Sequence, residues 1–230
     1  MCGRATLTNE DFGEIASELD AEFSPEDAAL YRPRYNVAPS DRHWIVEPGA
    51  DRRVLLPAVW GYRVSGRPLI NVRGEQVASG RGFREAFQAR RCLVVTDGFL
   101  EWDRDKSPRW FHRPTGGLVL LAGLYQPAEP GSRDPDAPAR PRFTILTTRP
   151  NRLVGEIHTR MPVIVAPAAI DEWLTAPPAS AGALIQPAPE DFLIATRLSK
   201  RVNSVRNDDP ACLQPAELVP PPPEAQGRLF

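Results

Sequence analysis

The chain has 230 residues and a formal net charge of −1, with 42% hydrophobic and 25% charged residues. This composition is typical of a globular protein of one or at most two domains, and the near-zero net charge gives no global sign of a nucleic-acid partner. Because no apolar run approaches the about 18 residues of a membrane helix and no signal-peptide pattern opens the chain, we expect a cytoplasmic protein without a membrane contact.

The cysteines and histidines are few and far apart in the sequence. Three cysteines do not make a disulfide framework in a chain of this length, and no C-x-x-C pair is present. We therefore expect no metal site. The residues are Cys2, Cys92, Cys212, His43, His112 and His158.

The first informative element is the N-terminus, where Cys2 follows Met1 directly. Because the cysteine side chain is small, we expect Met1 to be removable, which leaves an amine and a thiol on neighbouring carbons. An α-amine has a pKa of about 7.7–8.0 and a thiol one of about 8.5, so both groups can react near neutral pH. An aldehyde can form an imine with the amine, and the thiol can then close a five-membered thiazolidine. An ordinary frayed terminus is an equally good interpretation from position alone.

The next segments predict a helix and then strands. Residues 9–23 place Phe12 and Ile15 on one helical face. Residues 34–40 form an extended segment that ends in Pro39-Ser40, and residues 43–47 and 53–60 read as strands around a turn.

Residues 69–75 predict a strand with polar side chains on one face. Alternation places Asn71, Arg73 and Glu75 on the same side, with Val72 toward the core. A solvated sheet face is the more common meaning of this pattern. The alternative is an amide, a guanidinium and a carboxylate that converge on one groove.

A buried strand with a turn at Asp97-Gly98 is predicted for residues 92–102, after a short helix at 81–91. Glu101 follows apolar residues and precedes Trp102. Desolvation raises the pKa of a carboxyl in such a place, which suits a general acid or base. An edge-strand glutamate that faces water is equally consistent with the sequence.

Residues 110–113 and 117–125 predict a hairpin, and residues 142–148 continue its sheet. Residues 127–141 are rich in proline, aspartate and glycine, and we interpret them as a flexible insertion.

His158 lies between a short predicted helix at 151–157 and an apolar strand, a common location for an active-site residue on a loop. A lone histidine is more often structural or merely exposed. Downstream we predict a helix at 168–174, a loop at 177–189 and a strand at 192–202.

The order of elements indicates an α+β fold with a mixed, largely antiparallel, barrel-like sheet and a few short helices. We assign residues 1–218 to one domain and expect residues 219–230 to form a disordered tail.

Taken together, six motifs resemble the SOS response-associated peptidase (SRAP) family, the abasic-site processing proteins. They occur in the family's order and span nearly the whole chain. They are Met1-Cys2-Gly3-Arg4, the segment from Arg34 to Pro39, Trp60-Gly61, Asn71-x-Arg73-x-Glu75, Asp97-Gly-Phe-x-Glu101-Trp102 and Ile157-His158-x-Arg160-Met-Pro162-Val163.

The resemblance implies a protein that links its N-terminal cysteine covalently to abasic sites in single-stranded DNA, without a cofactor. Cys2 would be the nucleophile, Asn71 would hold the terminus and the opened sugar, and Glu101 and His158 would move protons. We expect a monomer. The positions that match DNA-contacting residues are Arg4, Arg73, Arg81 and Arg160, and Trp60 and Trp102 are candidates for packing on bases or shaping the groove.

Three other functions remain open. One is an N-terminal-cysteine amidohydrolase, which uses the amine as the base for the thiol. Another is a peptidase that pairs Cys2 with His158. The third is a module that reads damaged single strands without forming a bond, and it differs in needing no Cys2 thiol.

Overall fold

The computed structural model describes residues 2–77, 82–128 and 141–216. The strands are β1 (Arg4–Leu7), β2 (Ala21–Glu22), β3 (Arg34–Val37), β4 (Arg42–Glu47), β5 (Arg53–Trp60), β6 (Tyr62–Val64), β7 (Arg67–Leu69), β8 (Asn71–Arg73), β9 (Arg91–Thr96), β10 (Gly98–Trp102), β11 (Pro108–His112), β12 (Val119–Gln126), β13 (Arg142–Thr148), β14 (Met161–Pro162) and β15 (Ile194–Arg197).

The helices are short. They are α1 (Phe12–Glu18), α2 (Pro25–Ala28), α3 (Gly74–Val77), α4 (Arg84–Ala89), α5 (Arg152–Gly155), α6 (Ile170–Thr175) and α7 (Pro178–Ala183), with 3₁₀ turns at Pro167–Ala169, Lys200–Asn203 and Pro210–Leu213. No helix within the described ranges combines the length and the apolar character needed to span a membrane.

One sheet carries the N-terminus in its interior. Its strand order is β15-β11-β10-β1-β3, and every pairing is antiparallel. Arg4 of β1 pairs with Leu100 of β10, so the residues before Arg4 run beside the end of β10 that carries Glu101. Sheet pairing therefore brings the first residues of the chain against a segment about a hundred positions away.

The other sheet closes into a ring. Strands β13, β12, β9, β4 and β5 are successive antiparallel neighbours, and a short parallel pairing of β5 with β13 completes the circle. Closure removes two sheet edges that would otherwise expose unpaired backbone groups. Strand β8 adds to β13 in parallel, with Asn71 opposite Ile145. The mixed, barrel-like fold expected from the sequence is confirmed.

The ring has apolar groups on both faces of its strands. Val94 of β9 packs in one core cluster with Phe99 and Phe111 of the first sheet. Its neighbour Leu93 belongs to the other cluster, which includes residues of α1, α4 and α6. A strand buried on both faces needs apolar residues at successive positions, which explains the unbroken apolar run of β9.

Two expected elements end earlier than predicted. Helix α1 starts after the N-cap Asp11, which accepts a hydrogen bond from Glu14 N, and it stops before Asp20, whose φ is 45°. The chain then enters β2, so the predicted helix at 9–23 is too long. The strand predicted at 192–202 is confined to β15, and the 3₁₀ turn at Lys200–Asn203 follows it.

The predicted hairpin at 110–125 is wrong. Strand β11 pairs with β10 and β15, whereas β12 pairs with β9 and β13 in the other sheet. The connection contains Gly116 and Gly117, both with positive φ, and it carries the chain from one sheet to the other. Alternation predicts strands, but it does not name their partners.

Two further corrections concern helices. The strand predicted through Glu75 ends at Arg73, and helix α3 follows. A Cβ on Gly74 would lie 2.5 Å from Ile185 Cγ2, so glycine allows the start of α3 to pack closely against this side chain. The predicted loop at 177–189 contains α7, because its proline stands at a helix start, where a missing N–H costs nothing.

The remaining expectations are confirmed or untested. The turn at Asp97-Gly98 and the helix before His158 are present as predicted. The insertion at 127–141 and the tail at 219–230 lie largely or wholly outside the described residues, so the domain boundary stays a prediction.

A candidate active site around Cys2

Cys2 is buried, with 1% of its surface exposed, just before β1. The Asn71 side chain anchors it, because Asn71 Nδ2 donates a hydrogen bond of 2.8 Å to the Cys2 carbonyl oxygen. Asn71 opens β8 and is held in register by its pairing with Ile145 of β13. Two sheets thus fix the position of the N-terminal cysteine from opposite sides.

Asn71 also carries an unused acceptor. Its Oδ1 is buried and has no hydrogen-bond partner in the described structure. A buried acceptor without a partner costs about 1–3 kcal/mol, and such atoms occur where a ligand completes the bonding. The amide therefore holds the cysteine with one end and offers a free oxygen at the other.

The Cys2 thiol is in a dry and negative environment. Burial raises the pKa of the thiol, and the Glu101 carboxylate raises it further. The Sγ atom lies 3.7 Å from the Arg4 carbonyl oxygen, a weak hydrogen bond. The thiol is therefore protonated near neutral pH, and a thiolate forms only if a neighbouring group accepts the proton.

Glu101 lies on β10 and is 4% exposed. Desolvation by burial raises the pKa of its carboxyl, while the charge of His158 acts against this rise. The expected desolvated carboxyl is confirmed, and the alternative of an edge-strand glutamate facing water is wrong. The charge of Glu101 acts on the pKa of Cys2, and the charge of His158 acts on the pKa of Glu101. The three groups therefore lie close enough for their charges to interact.

His158 stands on the loop between α5 and β14 and is half-buried. Helix α5 is capped by Asn151, whose Oδ1 accepts from Val154 N at 3.0 Å, and His158 N donates to Val154 O at 2.9 Å. The ring atom His158 Nδ1 accepts from Arg160 N at 3.0 Å. Nδ1 also lies 3.2 Å from Arg160 O, so the Arg160 backbone holds this edge of the ring in either tautomer.

Arg4 is held at the site by a polar network. Its Nη1 donates to Asn36 Oδ1 at 2.8 Å and to Val202 O at 3.1 Å, and its guanidinium lies 5.5 Å from the Trp102 ring centre. Trp102 is half-buried and donates through Nε1 to Asn203 Oδ1 at 2.6 Å. The guanidinium keeps further N–H donors for a ligand.

Asn36 and Asp208 form a latch, defined by these two residues, that binds β3 to the C-terminal segment. Buried Asn36 donates through Nδ2 to the carbonyl oxygens of Ser204 and Asn207 at 3.0 and 2.8 Å. Asp208 Oδ1 accepts from the backbone N–H groups of Tyr35 and Asn36 at 2.7 and 3.0 Å. The latch thereby holds the segment that contacts Arg4 and Trp102.

Arg160 is engaged within the protein. Its two terminal nitrogens donate to the Glu75 carboxylate at 2.9 and 2.6 Å, and it also bonds Thr147 O. A DNA phosphate would have to compete with this bidentate pair. Arg73, by contrast, is exposed, and no ion pair or hydrogen bond of its side chain is present in the described structure. Arg81 lies outside the described residues.

Trp60 does not fit the expectation of packing on a base. It is 1% exposed, its ring stacks on Phe143, and its Nε1 donates to Ile70 O at 3.0 Å. Ile70 precedes Asn71, so Trp60 supports the strand that anchors Cys2. Shaping the site is the role that its burial permits.

The structure thus brings Cys2, Asn71, Glu101 and His158 together, with Arg4 and Trp102 beside them. The sequence analysis missed the latch. Asn36 lay inside a quoted motif as a polar residue among extended apolar ones, which is a usable signal, whereas nothing local marks Asp208. Within the described ranges no group of three histidine, cysteine or acidic side chains is placed to hold a metal.

The chain is similar to known proteins along nearly its whole length. The chain is 33% identical over 229 residues to the abasic site processing protein YoqW of Bacillus subtilis, covering 93% of this chain and 99% of that protein. It is 29% identical over 230 residues to the abasic site processing protein YedK of Escherichia coli, covering 94% and 100%.

Solved structures show the same fold. A crystal structure of a Bacteroides thetaiotaomicron protein superposes with a TM-score of 0.77 at 20% identity, covering 94% of this chain and all of the other. A phage-related protein of Bordetella bronchiseptica gives 0.68 at 25% identity, covering 87% and 95%. The family model for SOS response associated peptidase (SRAP) matches residues 1–205, and the chain therefore belongs to the SRAP family.

Proposed function

We propose that this protein processes abasic sites in DNA by forming a covalent link between Cys2 and the abasic sugar in single-stranded DNA. It acts as a monomer without a cofactor, in the cytoplasm and on the nucleoid when bound to DNA. Its relatives are named for abasic site processing. The link shields the site during repair and replication.

The reaction begins after Met1 is removed, by the protein itself or by an aminopeptidase. The abasic deoxyribose opens to its aldehyde, and the Cys2 amine adds to the aldehyde carbon. Loss of one water molecule gives an imine. The Cys2 sulfur then bonds to the same carbon, the thiol proton passes to the imine nitrogen, and a thiazolidine ring closes. One aldehyde, one amine and one thiol therefore yield one ring and one water.

The observation that carries the proposal is the anchoring of Cys2 by Asn71 beside a desolvated Glu101. The hydrogen bond to the Cys2 carbonyl fixes the residue whose amine and thiol must both reach one carbon. Asn71 Oδ1 is positioned to accept from the amine or from a hydroxyl of the opened sugar.

Glu101 and His158 supply the proton transfers. Because burial raises the pKa of Glu101, a fraction of its carboxyl is protonated nearer to neutral pH and can protonate the departing water. The ionised form can take a proton from the thiol. His158 is the second donor, and it assists ring opening of the sugar.

The charge environment weighs against a thiolate–imidazolium peptidase. In that mechanism a histidine lowers the pKa of its cysteine, whereas burial and Glu101 raise the pKa of Cys2 here. A protonated thiol suits late addition to an imine better than first attack on an amide. An N-terminal amidohydrolase would also need a donor pair for an oxyanion at Cys2.

The test is a denaturing gel with a single-stranded oligonucleotide that carries one abasic site. The protein is first confirmed by mass to begin at Cys2. Cys2→Ala, which keeps an N-terminal amine but no thiol, and an undamaged oligonucleotide are the controls. We expect a heat-stable adduct that needs both the thiol and the abasic site. We also expect Cys2→Ala to give a stable adduct only when borohydride reduces its imine.

Three results would contradict the proposal. If protein that is confirmed to begin at Cys2 forms no adduct, the covalent reaction is excluded. If wild type and Cys2→Ala form equal amounts of heat-stable adduct without borohydride, the product is not a thiazolidine. Tight binding of abasic DNA without any adduct would favour the non-covalent reader, and hydrolysis of glutamine or peptides would then be assayed.

A further inference from the structure

A second feature of the molecule is an open cavity of about 670 Å³ that does not include Cys2, Asn71, Glu101 or His158. It is formed where β3, β4, β5 and β13 approach one another, with β6 at its side. The lining residues are Leu30, Arg32, Arg34, Ser40, Asp41, Arg42, His43, Trp44, Pro57, Val59, Arg63 and Arg142, and we call this the arginine cavity.

The arginine cavity is strongly positive in a protein whose net charge is −1. Five of its lining residues are arginines and one, Asp41, is acidic. Asp41 and Asp208 are the carboxylates that neutralise Arg32 and Arg34. Burial lowers the pKa of His43 to about 4, so the positive charge at neutral pH comes from arginine alone.

Two of the arginines are available to a ligand. Arg42 and Arg63 are exposed, and neither side chain makes an ion pair or hydrogen bond in the described structure. Arg42 lies opposite Val59 across β4 and β5, and Arg142 lies beside Val59 across β5 and β13. Strand spacing of about 4.8 Å places Arg42 and Arg142 about 10 Å apart at their backbones, with Val59 between them.

Trp60 makes hydrogen bonds both to residues that line the arginine cavity and to the segment before Asn71. Ser40 N donates to Trp60 O at 2.8 Å, and Trp60 N donates to Asp41 O at 3.0 Å. At its other end the Trp60 indole bonds Ile70, the residue before the Cys2 anchor Asn71. Hydrogen bonds of Trp60 therefore link residues at the rim of the cavity to the segment that carries Asn71.

We propose that the arginine cavity binds the sugar–phosphate backbone of the DNA strand that flanks the abasic residue. Arginine forks match phosphate oxygens, and several guanidiniums along one surface suit a ligand with repeated phosphates better than a single anion. The contacts carry no base information, so the site accepts any flanking sequence. This inference rests on the proposed function.

The test measures non-covalent binding of undamaged single-stranded oligonucleotides, lengthened in steps on the 5′ or the 3′ side. Wild type is compared with Arg42→Ala and Arg63→Ala. The matched control is Arg52→Ala, which removes an exposed arginine paired with Asp20 at the opposite end of β5. Inorganic phosphate and a nucleoside monophosphate are the small-anion probes, and the adduct gel is run in parallel.

We expect Arg42→Ala and Arg63→Ala each to weaken binding of long oligonucleotides about three- to tenfold at low salt. Each should also lower the slope of log affinity against log salt by about 0.7, the value for one phosphate of a single strand. Short oligonucleotides should bind all variants alike, and Arg52→Ala should match wild type. At subsaturating abasic DNA the adduct rate of Arg42→Ala and Arg63→Ala should fall by the same factor as their affinity.

Two outcomes would overturn the inference. One is that Arg42→Ala and Arg63→Ala bind every length as Arg52→Ala does. The other is that they lose binding of the small-anion probes but not of oligonucleotides, which would make the cavity a small-anion site. A missing adduct in wild type, with binding still dependent on Arg42 and Arg63, would overturn the proposed reaction and leave this inference standing.

Discussion

The Cys2 site and the arginine cavity use opposite physical means within one fold. Cys2, Asn71 and Glu101 are all less than 7% exposed, and Asn71 Nδ2 donates a hydrogen bond to the Cys2 carbonyl oxygen in this dry environment. Arg42 and Arg63 are exposed, charged and not bonded within the protein.

The difference corresponds to the two tasks that we propose for these regions. Bond formation at one carbon needs groups held within a fraction of an ångström, and burial supplies both rigidity and shifted pKa values. Gathering a flexible polyanion needs long-range attraction without exact geometry, which exposed arginines supply. Each prediction below tests whether the two regions can be changed independently.

The largest expected effect is that of Glu101→Gln. Glutamine keeps the shape of the protonated acid but transfers no proton, so the adduct rate should fall about 10²-fold, while DNA affinity should not change. A single-turnover gel and a binding titration measure the two quantities. An equal loss in both would show that Glu101 supports the DNA surface instead.

The same variant tests the buried carboxyl by pH. The pKa of Glu101 in the folded state is raised above about 4.5, so the folded protein binds its proton more tightly than the unfolded chain does. This contribution to stability is present below pH 4.5 and is lost as pH rises through the folded pKa. Urea unfolding should show that decline in wild type and a flatter profile in Glu101→Gln. Parallel profiles would contradict the shift.

Asn71→Ala should have the next largest effect. It removes the 2.8 Å bond to the Cys2 carbonyl, and loss of positioning at a reactive group costs up to about 10²-fold in rate. We expect a tenfold or greater fall in adduct rate at saturating DNA. Arg73→Ala, two residues along the same strand, is the control and should change binding more than rate. A larger loss of adduct rate in Arg73→Ala than in Asn71→Ala would contradict the contrast between the buried anchor and the exposed arginine.

Asn36→Ala tests whether the latch serves the dry site. The substitution removes the acceptor for the Arg4 guanidinium and the donor to the Ser204 carbonyl oxygen. The loss of these hydrogen bonds should lower the free energy of unfolding by about 1–3 kcal/mol. Asn207→Ala removes a more exposed amide that bonds Arg201 O and should cost less. Urea titrations measure both. In a double-mutant cycle the effects of Asn36→Ala and Arg4→Ala on adduct rate should not add, since the two residues are bonded. Additive effects of the two substitutions would show that the latch does not act through Arg4.

Added salt should give the smallest effect on chemistry and the clearest contrast between the regions. Exposed charges are screened over about 10 Å at 0.1 M salt, whereas buried pairs are screened much less. Salt should therefore weaken DNA binding and leave the adduct rate of the saturated complex nearly constant. Rate and affinity are read from one set of reactions at several salt concentrations. A parallel fall in both would show that the Cys2 site is not dry when DNA is bound.

Local pattern was enough for the elements that carry the chemistry. The apolar run before Glu101 offered a desolvated carboxyl as one of two interpretations, the helix before His158 was predicted, and the motif series singled out Asn71. The local sequence pattern failed where the structure depends on which strands pair. Strands β11 and β12 follow one another along the chain as the strands of a hairpin would, but they pair in different sheets.

The sequence by itself predicted Cys2 as the candidate nucleophile, because a cysteine directly after Met1 can offer an amine and a thiol together once Met1 is removed. It also determined the fold class, since period-two apolar patterns specify strands with buried faces. Only the tertiary structure decided that Asp208 accepts hydrogen bonds from the backbone of β3 and that arginines from four segments line one cavity. The physical reason is that strand order and ring closure set these neighbours, and no local periodicity encodes which strands pair.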